Sequence, residues 1–363
     1  MVNKQSKTKR FGILTSGGDC PGLNATIRGV ARAAMDKYGM EVVGIRNGYR
    51  GLIENDTQLL SRDDFGGILT RGGTILGTSR EKPFKDKDWL SGEKNSAPEL
   101  IMRTSEKLKL DCIVVLGGNG TNTTGYFLAK EGLNVIGLPK TIDNDIVETD
   151  VTFGFHTAVG VATDAIDRLH STAHSHNRVM IIEVMGHKAG WLGLFAGTAG
   201  GGDVILLPEI PYDINSISKH LVDRANAGKN FSIVVVAEGA LSKEEAKLDK
   251  KEFKKQREKS SVSIGYRVAK EIEEATGLES RVTVLGYLQR GGIPCAYDRV
   301  LSTMFGTYAA EMLFKGEYGK MVAMRNNVVE GVPLELVAGK IKPVPLDSQL
   351  VFAARQVGTC FGD

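Results

Sequence analysis

Residues 139–145 read PKTIDND and place Thr141, Asp143 and Asp145 within five positions. They follow an apolar run, 135–138, of the kind that forms a buried strand. They therefore belong at the rim of a sheet, where α/β proteins bind ligands. In an extended segment acids at i and i+2 point to the same side, so Asp143 and Asp145 are expected to face one ligand. One can stand by a metal while the other takes a proton from an attacking hydroxyl, a division of labour that phosphoryl transfer uses. An Asp- and Asn-rich turn without chemistry has the same composition.

Three glycine-rich turns accompany this segment: TSGGDCPGLN at 15–24, RGGTILGTSR at 71–80 and LGGNGTNTTG at 116–125. The first and third directly follow apolar runs. Glycines let the backbone approach an anion, and the helix that follows offers free N–H groups and the positive end of its dipole. Arg80 adds a permanent cation to the second turn. None of the three matches GxxxxGK[ST] or GxGxxG, and each alone is equally a tight turn. Together with PKTIDND they point to a phosphate-rich site. The second half adds Arg178, Glu238, Arg281 and Arg290, all near the ends of apolar runs. The planar fork of arginine binds two phosphate oxygens at once; a surface ion pair is the competing use of each.

These loops need rigid elements to hold them. Apolar runs at 11–15, 41–45, 112–116 and 134–138 read as strands, with helices expected over 24–37 and 99–109 and after the turn at 117–121. The alternation resumes with strands at 179–184, 204–207, 233–237 and 282–285. Continuous apolar strands alternating with helices indicate parallel sheets covered on both faces, an α/β class of doubly wound sheets. At 363 residues there is room for two domains, and residues 151–158 are the expected passage between them. The run 242–259 is dense in charge and nearly free of apolar residues, which reads as a solvated helix or loop.

Composition excludes several classes. A net charge of +3 with 25% charged residues gives no general nucleic-acid or anionic-membrane surface. No apolar stretch reaches spanning length, and residues 1–10 are polar and basic, unlike a secretory leader. Cys20, Cys112, Cys295 and Cys360 never form a CxxC pair, which argues against the commoner zinc patterns and for reduced thiols in the cytoplasm. Cys20, in a glycine-rich loop, is either a reactive thiol or a small packing residue.

TSGGDCPGLNATIRG, RGGTILGTSR, GGNGT, LPKTIDNDI, SHNRVMIIEVMG and LGYLQRGG, in this order, resemble the 6-phosphofructokinases over residues 11–325. The resemblance implies two Rossmann-like domains with the active site in the cleft between them. Residues 1–153, with a return segment at 290–340, would bind the phosphodonor. Residues 154–289, with the tail 341–363, would bind the sugar phosphate. It implies transfer of the γ-phosphoryl of ATP to the C1 hydroxyl of fructose 6-phosphate, a step of glycolysis, with Mg²⁺ as helper. Asp143 matches the general base, Thr141 and Ile142 the contacts to the reacting end of the sugar, and Asp145 and Asn119 the metal positions. Met185, Gly186, His187, Glu238, Tyr287 and Arg290 match sugar-phosphate contacts. Arg178 and Arg281 match arginines that reach a neighbouring subunit's site in a homodimer or homotetramer. Gly18, Tyr49, Arg80, Glu81, Gly118, Asn119, Gly120 and Thr121 match the donor site.

The chain departs from the family's pattern at Asn119, where most relatives carry an acid, and at Tyr287, where many carry His. Weaker Mg²⁺ dependence is the expected consequence of the first. Gly120 and Lys140 bear on the donor: pyrophosphate users resemble this chain at Lys140 but usually have Asp at the position of Gly120. An open Gly120 favours ATP, with pyrophosphate as the alternative and a poorly active binding subunit as a more remote one. Arg28, Arg32 and Lys229 match a basic effector pocket, whereas His170 and Ala227 stand where cations are usual, so a weak or altered effector response is expected.

Overall fold

The computed structural model describes residues 6–85, 96–249, 251–253, 255 and 262–363. They divide into two compact units. The first takes Met1–Ile142, Ile146–Thr157 and Arg290–Ile341; the second takes Asp143–Asp145, Ala158–Gln289 and Lys342–Asp363.

The first unit holds β1 (Arg10–Ser16), α1 (Leu23–Tyr38), β2 (Glu41–Ile45), α2 (Tyr49–Glu54), β3 (Thr57–Leu60), α3 (Ala97–Lys107), β4 (Cys112–Gly117), α4 (Asn119–Lys130) and β5 (Val135–Pro139). The long helix α5 (Phe155–His176) starts here and runs on into the second unit. The second unit continues with β6 (Val179–Val184), α6 (Trp191–Ala199), β7 (Val204–Leu206), α7 (Ile214–Asn226), β8 (Ser232–Ala237), α8 (Ile264–Thr276) and β9 (Ser280–Val284). The chain then returns to the first unit as α9 (Ala296–Lys315), β10 (Lys320–Arg325), β11 (Val328–Pro333) and α10 (Leu334–Val337), and ends in the second as α11 (Gln349–Gln356).

The first unit's sheet has seven strands in the order β11-β10-β5-β4-β1-β2-β3. Its central strands β5, β4 and β1 are parallel and buried at every position but the half-buried Arg10, as continuous apolar runs require. Both edges depart from the expected all-parallel sheet, because β2 pairs with β3, and β10 with β11, in antiparallel fashion. The β10–β11 hairpin turns on Asn326 and Asn327, whose φ of 50° and 63° suit a two-residue turn twisted like the strands it joins. Leu14, Ile113, Val115, Val135, Ile101, Leu128 and Met321 pack into one core cluster of this unit.

The second unit's sheet is parallel throughout, in the order β7-β8-β6-β9. Cores lie on both of its faces: Ile182, Val184, Ile205 and Val235 pack with Leu194 and Val351, whereas Ile181, Val234 and Val236 pack with Ile217 and Ile272. Most described residues of the charged run at 242–259 are exposed, as its composition implies, with Glu245 the buried exception among them. Glu245 is buried and holds the Arg267 guanidinium through both oxygens. Residues 250, 254 and 256–259 of that run lie outside the described residues. Among the described residues no helix is long and apolar enough to cross a membrane.

Candidate active site

Strand order brings the chemistry-bearing loops to one edge. The strands β5, β4 and β1 are neighbours, so their carboxyl ends deliver residues 140–142, 118–121 and 17–22 side by side. The Lys140 ammonium, just past β5, donates to the Gly18 carbonyl just past β1. The backbone N–H of Lys140 donates to the Gly117 carbonyl at 3.0 Å, and the Thr121 hydroxyl donates to Ser16 O at 3.3 Å. Gly17 has a φ of +87°, a left-handed conformation that glycine adopts without steric cost and that turns the chain off β1 toward α1.

The loop at 71–80 is laced to the same edge. Gly17 N–H donates to Ser79 O at 2.8 Å, Thr78 Oγ1 to Gly17 O at 2.6 Å, and Thr15 Oγ1 to Gly77 O at 2.6 Å. From the first turn of α1, the Asn24 amide donates to Arg71 and Gly72 carbonyls at 3.1 Å and accepts from Ile75 N–H at 2.8 Å. The three glycine-rich turns thus form one assembly. Thr15 and Asn24, the buried polar residues that knit it together, carried no separate signal in the sequence.

Around that assembly Arg80 is exposed, and Glu81 is half-buried with its Oε2 enclosed and, among the described residues, without a hydrogen-bond partner. Gly118 is the N-cap residue of α4 and, as a glycine, offers no side chain to cap the free N–H groups. Among the described residues a Cβ at Gly120 would meet nothing within 4 Å. Arg290 opens the return segment of the first unit, and its guanidinium lies against the glycine loop: a Cβ at Gly18 would collide with Nη1. The resemblance assigns it to the sugar phosphate, and the structure sets it beside the first glycine turn.

Three further expectations are revised. Tyr49 is only 1% exposed, and its phenol donates inward to Thr121 O at 2.8 Å; burial pushes its pKa up, so it supports the loop from beneath rather than facing a ligand. Asn144 has a φ of +51°, so residues 143–145 are a bend and not an extended stretch, and the alternation that would aim Asp143 and Asp145 to one side does not hold. Ile142 buries its side chain and leaves only its backbone for contact. Thr141 has its carbonyl bonded by Thr152 Oγ1 at 2.7 Å, which fixes the segment as it leaves β5. Asp143 and Asp145 are half-buried, and Asp145 O accepts from Lys342 N–H at 2.8 Å.

Asn119, the first residue of α4, is committed to its own unit. Its Nδ2 donates to Lys340 O and its Oδ1 lies 3.3 Å from Thr123 Oγ1. Among the described residues no three His, Cys, Asp or Glu gather to hold a metal ion. Cys20 is fully buried, and burial pushes its thiol up to about 12, which removes it as a nucleophile.

Within the second unit the expected sugar-phosphate residues divide between the two edges of one sheet. Met185, Gly186 and His187 follow the carboxyl end of β6, Glu238 follows β8, and Tyr287 follows β9. Gly186 needs its φ of +127° and lets Gly239 N–H reach its carbonyl at 3.2 Å, while Gln289 accepts from Met185 N–H at 3.3 Å. Tyr287 is 74% exposed. Arg178 precedes β6 and Arg281 lies near the start of β9, at the opposite edge. A strand as long as β6 separates the edges by about 20 Å. Both arginines pair with Glu279, which had no signal in the sequence. The Arg178 hydrogen bond, with the second arginine beside it, holds the Glu279 carboxyl below its usual range.

The expected effector residues are partly occupied. Arg32 lies 3.8 Å from Asp36 one turn on, and His170 Nε2 is 2.7 Å from Gly200 O. Arg28 is half-buried and Lys229 exposed.

The phosphofructokinase family model matches residues 10–313. The chain is 65% identical over 365 residues to the ATP-dependent 6-phosphofructokinase of Spirochaeta thermophila, covering 99% of both chains. It is 52% identical over 353 residues to ATP-dependent 6-phosphofructokinase 3 of Bacteroides thetaiotaomicron, covering 97% of this chain and 100% of that one. Among solved structures it superposes on Pichia pastoris phosphofructokinase with a TM-score of 0.78 at 30% identity, over 97% of this chain and 37% of that longer one. The pyrophosphate-dependent phosphofructokinase of Marinobacter aquaeolei, at 23% identity and a TM-score of 0.79 over 98% of this chain and 92% of that one, shares the fold. Six ordered motifs, a parallel-sheet edge that gathers three glycine turns, and matches along nearly the whole length make this chain a member of the phosphofructokinase family.

Proposed function

We propose that this chain is an ATP-dependent 6-phosphofructokinase that converts fructose 6-phosphate and ATP to fructose 1,6-bisphosphate and ADP. The observation that carries the reading is the gathering of residues 17–22, 71–80 and 118–121 at one sheet edge, with PKTIDND leaving the neighbouring strand. Relatives as similar as 65% are named for this activity.

Asp143 accepts the proton of the C1 hydroxyl as its oxygen attacks the γ-phosphorus, and the bond from that phosphorus to the β-phosphate oxygen breaks to release ADP. The transition state is loose, so charge neutralisation and alignment outweigh the base, whose contribution is on the order of 10²–10⁴-fold. Gly18, Gly118, Gly120 and Thr121 offer backbone N–H groups and a helix N-terminus to the polyphosphate, with Lys140 and Arg80 as cations and Glu81 as an acceptor. Thr141, Met185, Gly186, His187, Glu238, Tyr287 and Arg290 orient the sugar phosphate. Arg178 and Arg281, on the far edge of their sheet, suit the 6-phosphate of a neighbouring subunit in a homodimer or homotetramer, with Glu279 holding them until substrate arrives.

Mg²⁺ would reduce repulsion among the phosphates. Asn119 does not fit it: the amide is neutral and already engaged, and the ion prefers carboxylate and phosphate oxygens. Asp145 is the group left that would share the ion with the nucleotide.

Gly120 favours ATP over pyrophosphate, because it sets no side chain or charge against the larger donor and no described residue lies within 4 Å of where a Cβ would stand. The direct test is turnover of fructose 6-phosphate with each donor. ATP-dependent formation of the bisphosphate is expected, and equal or faster turnover with pyrophosphate overturns the donor assignment.

A further inference from the structure

The amide of Asn119 belongs to a closed set of hydrogen bonds in the first unit. Its Nδ2 donates to Lys340 O. The Thr123 hydroxyl donates to the Asn119 backbone carbonyl at 2.7 Å, with Oδ1 at 3.3 Å, and accepts from Gly339 N–H at 2.9 Å. Two residues of α4 therefore hold two consecutive residues of the return segment. Gly339 has a φ of +75°, and α10, just before it, packs on α4. An amide suits position 119 because it donates and accepts; a carboxylate there would set a second acceptor against the Lys340 carbonyl.

We propose that Asn119 and Thr123 form a latch that holds residues 338–341 beside the first turn of α4, and that this, rather than cation ligation, is the work of the amide at 119. The latched segment carries Lys340, an exposed cation, alongside a helix start whose N-cap residue, a glycine, offers no side chain to the N–H groups. That end of α4 is where the donor's phosphates are assigned, so the inference rests on the donor-site reading above. It makes Asn119 and Thr123 positioning residues and Lys340 a determinant of nucleotide affinity. Neither bears on the sugar.

The two roles for Asn119 give opposite signs. An acid at 119 would strengthen a metal site, whereas it would break the latch. The test compares Asn119→Asp, Thr123→Val, Thr123→Ser, Lys340→Gln and Gly120→Asp in KM for ATP, KM for fructose 6-phosphate, kcat, half-maximal Mg²⁺ and Tm. Loss of one hydrogen bond predicts a KM for ATP about three- to tenfold higher in Thr123→Val, with the sugar KM and kcat nearly unchanged. Thr123→Ser should restore it, Lys340→Gln should raise it, and Asn119→Asp should raise it without lowering the Mg²⁺ requirement. A lower Mg²⁺ requirement together with a lower KM for ATP in Asn119→Asp overturns the latch, as does an unchanged KM for ATP in both Thr123→Val and Lys340→Gln. Lys340→Gln alters an exposed side chain and so reads out even if Thr123→Val fails to fold. If Gly120→Asp also leaves the KM for ATP unchanged, the donor-site reading falls with it; if Gly120→Asp alone raises it, only the latch does.

Discussion

Nε of Arg178 stands 2.9 Å from Oε2 of Glu279, and Arg281 takes the other oxygen of that carboxylate. Two cations share one anion at the edge of the sheet opposite Met185 and Glu238. A phosphate arriving there meets a preassembled pair of guanidinium forks. Arg281→Ala should raise the KM for fructose 6-phosphate about tenfold or more and leave the KM for ATP within about twofold. Subunits carrying Asp143→Asn and subunits carrying Arg178→Ala, each inactive alone, should regain activity when unfolded and refolded together. Failure of mixed refolding to restore turnover would show that each subunit uses its own arginines.

Asp143→Asn keeps size and polarity while removing the carboxylate proposed as the base. Expected is a fall in kcat on the order of 10²–10⁴-fold with a sugar KM within a few-fold, read from steady-state kinetics beside an unchanged Tm. A variant with near-normal kcat would remove Asp143 from the chemistry.

Gly120→Asp separates donor binding from folding. Among the described residues a Cβ at 120 meets nothing within 4 Å, and an acid in the first turn of α4 favours the helix. Beside a phosphate the same charge costs about 4 kcal/mol at 4 Å in a partly screened site. The KM for ATP should rise about 100-fold or more while Tm holds.

Burial pushes the Cys20 thiol up to about 12. It also raises Cys112 well above the usual thiol range. Neither should react with an alkylating reagent in the native protein at neutral pH, and both should react in denaturant, with peptide mass mapping as the readout. Rapid native labelling of Cys20 would contradict its enclosed position.

Glu209 ties the chain's last segment to the second unit, accepting from Gly190 N–H at 2.9 Å and Val344 N–H at 2.8 Å. Burial raises its pKa against the pull of those bonds. A raised folded-state pKa favours the protonated form in the native protein, so this contribution to stability is present below the ordinary glutamate range and is lost as pH rises through the raised value. Glu209→Gln keeps an acceptor and removes the titration. The Tm difference between variant and parent should therefore shift in the variant's favour as pH rises from about 4.5. A pH-independent difference would exclude Glu209 as the source.

The sequence by itself determined the inner architecture and the site's ingredients. Runs such as CIVVLG and VIGLP are apolar at every position, which suits only strands buried on both faces, and glycine turns directly after such runs must emerge at the carboxyl edge. Tertiary structure decided what periodicity and residue type cannot encode. Strand order made neighbours of β5, β4 and β1, so that Lys140 meets Gly18 across a sequence separation of 122 residues. The left-handed Asn144 bent a segment whose composition suggested an extended one. Tyr49 turned inward, Arg290 came to lie on Gly18, and Asn119 found Lys340, because each is settled by which long-range donor, acceptor or cavity lies within reach. The paired edges β2–β3 and β10–β11 escaped for a related reason: half-exposed edge strands carry little apolar signal, and their hydrogen bonds depend on a partner supplied only by the fold.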